Sequence, residues 1–564
     1  MLDNSKIFGF SMNQCVNLIG ILFLVILFFG KNPASKWDRS ISGDGKSYYA
    51  YLTAAVIYQD LDYQFVEDYE AKYYPPDQSL FKEFRQDFNG EIANKTFPGI
   101  SLLWLPFFLL AHLLSYLFGF EPDGYSLLYQ LSISISAIFY FWLGLKWLSK
   151  LLSSLGYANK YILPTLILLA FGTNLYFYTI HDPSLTHCYN FTLLAGILHF
   201  SRRFYIEHHS KLLFIAIALF ALAIITRPTN ILMIIFLPLA IGNWTNFKSF
   251  IGSIFRNKKR ILGAFAVLIV IGSYPVLWWF AQTGHLIVYS YGKEGFDFSN
   301  PHIFNILFSY EKGWLLYTPA ILLSTLGLFY FYTKNKFQFA LAIIGFAILA
   351  YVFSSWWIWT YGASFGQRVF VDFYAVIAIL FISGLTQLSQ SKFAVSVWFM
   401  LACSFVGLNQ LQTYQFKNGI LPSIGATKVT YWNSYFKLKK VRKSYPVSKM
   451  YDTINQYKTD FEFDVDWLTI KLTTDSRAQS GKFSQLVESK SPYSGGYKGR
   501  IPLDADFVQI AVSIYCESNS ASPQLIYELA SNANNSIYNS KALLPFLEKN
   551  KWTQFYFTIE LNDK

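Results

Sequence analysis

Asp44, Lys95, Asp182, Arg227 and Arg368 are ionisable residues set among or beside long apolar runs, where charge has little reason to be. Asp44 lies in Ser42-Gly43-Asp44-Gly45-Lys46-Ser47-Tyr48, a carboxylate between two glycines that let backbone and ligand approach closely. A carboxylate so placed can take a proton from a hydroxyl as a general base. It can equally cap the Tyr-rich helix expected to begin right after it. Lys95, in Asn94-Lys95-Thr96-Phe97-Pro98, offers an ammonium at lipid-headgroup height that suits a phosphate, and a snorkelling lysine would read the same way. His181-Asp182-Pro183-Ser184-Leu185-Thr186-His187 gathers one carboxylate and two imidazoles between two apolar runs, where charge is costly and is a functional candidate by default. Asp182 before Pro183 is also an ordinary way to start a helix. Arg227, in Ile225-Thr226-Arg227-Pro228, splits a long apolar region and needs an anion from protein or ligand. Arg368 ends a segment from Ser355 that carries Trp357, Trp359 and flexible glycines. Aromatic faces of this kind stack on sugars, and they also make ordinary interfacial belts.

The elements that position these residues follow from composition. Of 564 residues, 53% are hydrophobic, 20% aromatic and only 14% charged, well below the quarter usual in soluble domains. Apolar runs long enough to cross about 30 Å of hydrocarbon recur from Cys15 onward, and they lack the alternation of barrel strands, so helices must satisfy the backbone. The first run, 12–30, is read as a retained span because no small-residue cleavage site follows it.

Positive charge sets the expected topology. Lys146, Lys150 and Lys160; Arg202, Arg203 and Lys211; Lys248, Arg256, Lys258, Lys259 and Arg260; and Lys334 with Lys336 all fall on one side if 98–118 lies along the outer leaflet as an interfacial helix. Eleven spans are then expected near 12–30, 124–146, 161–179, 187–201, 211–225, 229–243, 261–281, 314–332, 338–354, 369–387 and 393–410. The N-terminus is then expected inside and the C-terminus outside. The segments 31–97, 181–186, 226–229, 283–313 and 355–368 face outward, and they hold the residues named above.

After Leu411 the chain turns polar. A basic connector, 412–460, leads to 461–564, where Trp467–Leu472 and Phe507–Tyr515 alternate in the manner of strands and suggest a small outer β-sandwich. The domains expected are thus 1–411, with a first outer loop of about 31–123, then the connector, then the β-rich unit. Four scattered cysteines without a CxxC pair, and no His/Cys cluster at ligand spacing, indicate neither a disulfide framework nor a metal site. The net charge of +12 is spread between apolar runs instead of gathered on one face, so the bilayer is the expected partner and nucleic acid is not.

Taken in order, these residues resemble the type C glycosyltransferase superfamily, membrane enzymes that use polyprenyl-phosphate-linked sugars. Protein O-mannosyltransferases and lipid A aminoarabinose transferases belong to it. Asp44 with the trailing Tyr48 matches the acidic residue soon after span one; Lys95 to Pro98 matches loosely a Lys-Pro-like element opening an interfacial helix; Asp182-Pro183 matches a second Asp-Pro. The Arg227-Pro228 element and the Trp-rich Gly-x-Arg segment ending at Arg368 resemble bacterial members in particular. Two departures stand out: Gly45 follows Asp44 where an acidic pair is common, and two residues separate Lys95 from Pro98.

The resemblance implies direct displacement at the anomeric carbon, with a lipid, glycan or protein acceptor. Asp44 is then the general base and Asp182 an orienting acid. Lys95, Arg227 and Arg368 meet the donor phosphate, and Tyr48, His181, His187, Trp357 and Trp359 line the sugar or acceptor. No cofactor is required; a divalent metal is optional and is not indicated by the sequence. Two other readings stay open: a lipid-linked sugar transporter or flippase, and a polysaccharide polymerase or ligase. A non-catalytic scaffold whose outer domain binds glycans is a further one.

Overall fold

The structure, a computed structural model, describes residues 7–439 except 8, 31–39, 75–83 and 293, together with six strands between 473 and 560. The chain divides into two compact units, Met1–Arg442 and Lys443–Lys564.

The first unit is helical. Seven helices are long and apolar enough to cross a membrane: Met12–Gly30, Gly99–Phe118, Leu127–Ser154, Lys258–Thr283, Lys336–Ser354, Arg368–Gln390 and Lys392–Lys417. The bent pair Pro228–Ile241 and Trp244–Phe255 makes an eighth if it is one span. The other segments among the eleven expected are helical too, but shorter, broken or less apolar. Asn159–Phe171 stops at a turn before Leu175–Ile180, Ser210–Thr226 has 17 residues, and Trp314–Lys334 runs in three pieces around Pro319. Proline removes a backbone donor and restricts the residue before it, so the breaks at Pro228 and Pro319 begin 3-10 turns.

The stretch expected to lie along the outer leaflet is a 20-residue helix, Gly99–Phe118, and it is among the seven. At 1.5 Å per residue it reaches about 30 Å, long enough to cross. Counting flanking charges gave no measure of that length. Its first half is buried, from Ile100 through Trp104 to Phe108, whereas Leu113, Leu117 and Phe118 are exposed.

At the centre, Tyr374–Gln387 is buried along nearly its whole length, as suits a helix apolar all round. It lies against Ser324–Lys334, where Gly327 meets the backbone of Leu380 with no room for a side chain.

The helix Lys392–Lys417 runs through 411, and Gln412 and Gln415 donate to the Tyr431 hydroxyl and the Ser434 carbonyl at 2.7 and 2.6 Å. In the second unit Phe507–Tyr515 is a strand, antiparallel to Trp552–Glu560, and Gln524–Asn532 pairs with Asn535–Ala542. Every described sheet has two strands, so the expected β-sandwich is not supported. Alternation marks strands but says nothing about which of them pair. The expected strand Trp467–Leu472 lies outside the described residues.

Candidate active site

Gly43, at a φ of 53°, turns the chain into the helix Asp44–Thr53, and Asp44 is that helix's first residue. Its carboxylate does not cap: the cap position is Gly43, without a side-chain bond, and Asp44 Oδ2 lies 2.7 Å from Arg368 Nη2. The Asp44 side chain remains half exposed. Burial pushes its carboxyl up, but the charges of Arg368, and then of Lys95 and Arg227, outweigh this and hold it below its ordinary value. Asp44 is therefore an ionised carboxylate at neutral pH.

Gly45 has a local reason. A side chain there would collide with Ser184, whose carbonyl oxygen stands 3.0 Å from where its Cβ would be. Ser42 reinforces the contact, with its N–H donating to Ser184 Oγ at 3.1 Å and its hydroxyl donating to Asp182 Oδ1 at 3.5 Å. The loop bearing Asp44 is thus seated on the loop bearing Asp182, and Gly45 is what lets it sit there.

Arg227 occupies the break between Ser210–Thr226 and Pro228–Phe236, with the extended φ and ψ (−150°, 118°) that a following proline favours. Its Nη1 lies 3.3 Å from Asp372 Oδ2. His187 Nδ1 lies 2.7 Å from Asp372 Oδ1, and Asn190 Nδ2 donates to Oδ2 at 3.0 Å. Asp372, 1% exposed, is thereby buried and surrounded by donors, the condition under which a buried carboxylate is tolerated. Because Nδ1 faces the carboxylate it carries the ring proton, which leaves Nε2 with the lone pair. Among the described residues no hydrogen bond reaches Nε2.

Lys95 Nζ lies 2.5 Å from Glu294 Oε1, and the Ser290 hydroxyl donates to the Lys95 carbonyl at 2.7 Å. Four residues on, Gly99 abuts the backbone of Ile225 and Thr226, with the Thr226 nitrogen 2.5 Å from where a Cβ would be. That approach sets the Lys95 loop beside the Arg227 break. Tyr48 is buried on the same helix as Asp44; burial, then the Asp44 charge, pushes its hydroxyl up to about 12 and keeps it neutral. Burial holds the Tyr291 hydroxyl neutral as well, with the charges of Arg227, Asp44 and Glu294 close enough to act on it.

Three cations are thus matched one to one with three carboxylates: Arg368 with Asp44, Arg227 with Asp372, and Lys95 with Glu294. Asp372 and Glu294 escaped the reading of the sequence. For Asp372 a signal existed, an acidic residue inside Val369-Phe370-Val371-Asp372-Phe373, four positions after Arg368. Glu294 had none, since it follows an unremarkable loop.

The remaining candidates divide. The His181 ring packs edge-on against Tyr176 at 5.8 Å and also meets Phe177. Trp357 is 55% exposed and its backbone N–H donates to the Gly295 carbonyl at 2.9 Å. The Trp359 backbone carbonyl accepts from Gln367 Nε2 at 3.0 Å, and its ring stands 6.1 Å from His302. The tryptophan packed on Tyr291 is Trp356, 5.7 Å away and edge-on. Among the described residues no group of three or more His, Cys, Asp or Glu is arranged to hold a metal ion.

No protein-family model matches the chain, and no curated protein matches it.

Proposed function

We propose that the chain is a membrane glycosyltransferase that moves a sugar from a polyprenyl-phosphate donor to an acceptor hydroxyl at the outer face of a bacterial cytoplasmic membrane. The observation that carries this reading is the meeting of an ionised, half-exposed carboxylate, Asp44, with Arg368, in reach of the charges of Arg227 and Lys95.

Asp44 takes the proton of the acceptor hydroxyl as its oxygen attacks the anomeric carbon. The bond from that carbon to the phosphate oxygen breaks, and its electron pair leaves with the polyprenyl phosphate. A phosphodiester with one negative charge thus becomes a monophosphate with nearly two, and cations aimed at that oxygen act most strongly in the transition state. Donors are to hand: among the described residues Arg368 makes one hydrogen bond, and Arg227 makes its contacts through Nη1 alone. A phosphate that draws Arg368 to itself relieves Asp44 of the charge that depresses its basicity. The base is then strongest when the donor is in place. Asp182, beside Ser42, orients the acceptor or the sugar, and Tyr48 and His187 supply polar groups toward the sugar.

The basic clusters are assigned to the cytoplasmic side and residues 461–564 to the outer side.

The test is release of free polyprenyl phosphate from a panel of polyprenyl-phosphate hexoses and pentoses by the full chain in liposomes. Asp44→Asn keeps the size and removes the base, so turnover falls by about 10² or more while the protein still folds. Equal turnover by a well-folded Asp44→Asn protein overturns the assignment. A transporter of lipid-linked sugar is the second reading, favoured by the interrupted helices at 172–174 and at Arg227-Pro228. It moves the donor across liposomes without cleaving it.

A further inference from the structure

The helix Trp244–Phe255 turns by 117° from the segment Pro228–Ile241. The corner is built: Gly242 takes a φ of 125°, the Asn243 side chain accepts from the Asn246 N–H at 2.9 Å, and Arg202 Nη1 donates to the Ile241 carbonyl at 3.0 Å. One side of the helix is buried through Phe250 against Phe204, Leu212 and Leu213. At 100° per residue, Trp244, Lys248, Ile251 and Phe255 fall within an arc of about 60° on another side. Trp244 and Phe255 are 53% and 66% exposed, and Lys248 stands 5.8 Å from the Trp244 ring.

The charges beside this stripe are one-sided. Lys248, Arg256, Lys258 and Lys259 are exposed, and none forms an ion pair among the described residues. Residues 242–293 contain no Asp or Glu. The nearby Glu207 is already paired with Arg203 at 2.7 Å. Arg260 differs, because it is used internally, donating to the Ser253 and His208 carbonyls at 2.7 Å each.

Distance separates this elbow from the Asp44 site. The helix His187–Glu207 has His187 at one end and Phe204 under the elbow at the other, 17 residues along and so about 25 Å away at 1.5 Å per residue. An exposed aromatic stripe with a lysine in it, on a helix turned 117° from the segment before it and followed by cations outside any ion pair among the described residues, has the chemistry of a helix in the interfacial plane of an anionic leaflet.

We propose that Trp244–Phe255 and the cations Lys248, Arg256, Lys258 and Lys259 form a docking site for an anionic phospholipid, its phosphate headgroup held by the cations and its chains lying along Trp244 and Phe255. The assignment is independent of the transferase reading.

The full chain, purified in detergent, is offered phosphatidylglycerol and phosphatidylcholine in equal amounts, and the lipid retained is measured by native mass spectrometry. The wild-type protein retains phosphatidylglycerol preferentially. Each Lys→Gln change at 248, 258 or 259 lowers that preference by roughly fivefold, and Lys258→Glu with Lys259→Glu abolishes it, while the melting temperature stays unchanged. Trp244→Ser with Phe255→Ser weakens retention of both lipids. Equal retention of the two lipids by the wild-type protein overturns the proposal, as does a preference that survives the charge reversal. Displacement of the lipid by millimolar inorganic phosphate overturns it too, by making this a simple anion site.

Discussion

Asp44 and Arg368 stand 324 residues apart in the chain and 2.7 Å apart in space. Each comes from the first turn of a helical segment, Asp44 at the head of Asp44–Thr53 and Arg368 at the head of Arg368–Phe373. The pairing joins the first loop of the unit to its most buried helix and fixes the charge state of the proposed base.

That charge state has a pH signature. Burial raises the Asp44 carboxyl and its cations more than offset this, so the folded-state value lies below the ordinary one. The contribution to stability is present above the ordinary value and is lost as pH falls through the depressed one. Arg368→Gln removes the strongest lowering charge, so the acid limb of kcat/KM against pH should move to higher pH, with kcat itself lower. If the limb stays where it is in the wild-type enzyme, some other group titrates there.

The Asp372 cluster should behave as a unit. Removing one partner of a buried ion pair typically costs about 3 to 5 kcal/mol, because the other charge is left behind. Asp372→Asn is expected near the lower end of that range, since the amide still accepts from Asn190. The double change with Arg227→Gln should cost less than the sum of the two single changes by about 1 kcal/mol or more. Melting curves of the four proteins in one detergent give the cycle. Strict additivity would show that Arg227 and Asp372 do not interact.

Gly45→Ala tests the seating of the Asp44 loop. The new methyl meets Ser184, and overpacking of this kind costs about 1 to 3 kcal/mol. Activity should fall with stability, and Ser184→Gly in the same chain should recover part of both. A Gly45→Ala protein as active and stable as the wild type would mean that the two loops are not in contact.

Lys312 carries a second pH dependence, of the same sign but in a higher pH window. It is 1% exposed, and its Nζ donates to the Ser364 and Ser423 carbonyls. Burial lowers it to about 7, against a weaker upward influence of Glu311. Between about 7 and the ordinary lysine value of about 10.5, the unfolded chain binds a proton that the folded chain does not, so stability should rise with pH across that window. Lys312→Met should flatten this rise. Melting temperatures of both proteins from pH 7 to 9 decide it, and parallel slopes would remove Lys312 as the cause.

Much of the helical unit is legible in the sequence, because an apolar run without water must satisfy its own backbone. The segments around 12–30, 187–201 and 261–281 are helices for that reason alone. Pro228 announces its break just as directly, and Asp44, Arg227 and Arg368 announce themselves as charges in apolar surroundings. What pairs with what is not legible. Asp372 is four residues from Arg368 in sequence, yet its partners are His187 and Arg227, set by tertiary packing. Length is easily lost as well: Gly99–Phe118 was judged by its flanking charges, and its 20 residues give it the reach of a span. In the second unit, alternation finds Phe507–Tyr515 but cannot foresee Trp552–Glu560 as its neighbour.

The contact of Gly99 with the backbone of Ile225 and Thr226 has a mechanical meaning. With no side chain between them to roll or yield, the two stretches of main chain fix the spacing of Lys95 and Arg227, which lie within four residues of that joint. Arg368 is carried on the buried helical segment that also bears Asp372. A motion that parted these stretches of main chain from the helix bearing Asp372 would have to break the 3.3 Å contact between Arg227 and Asp372.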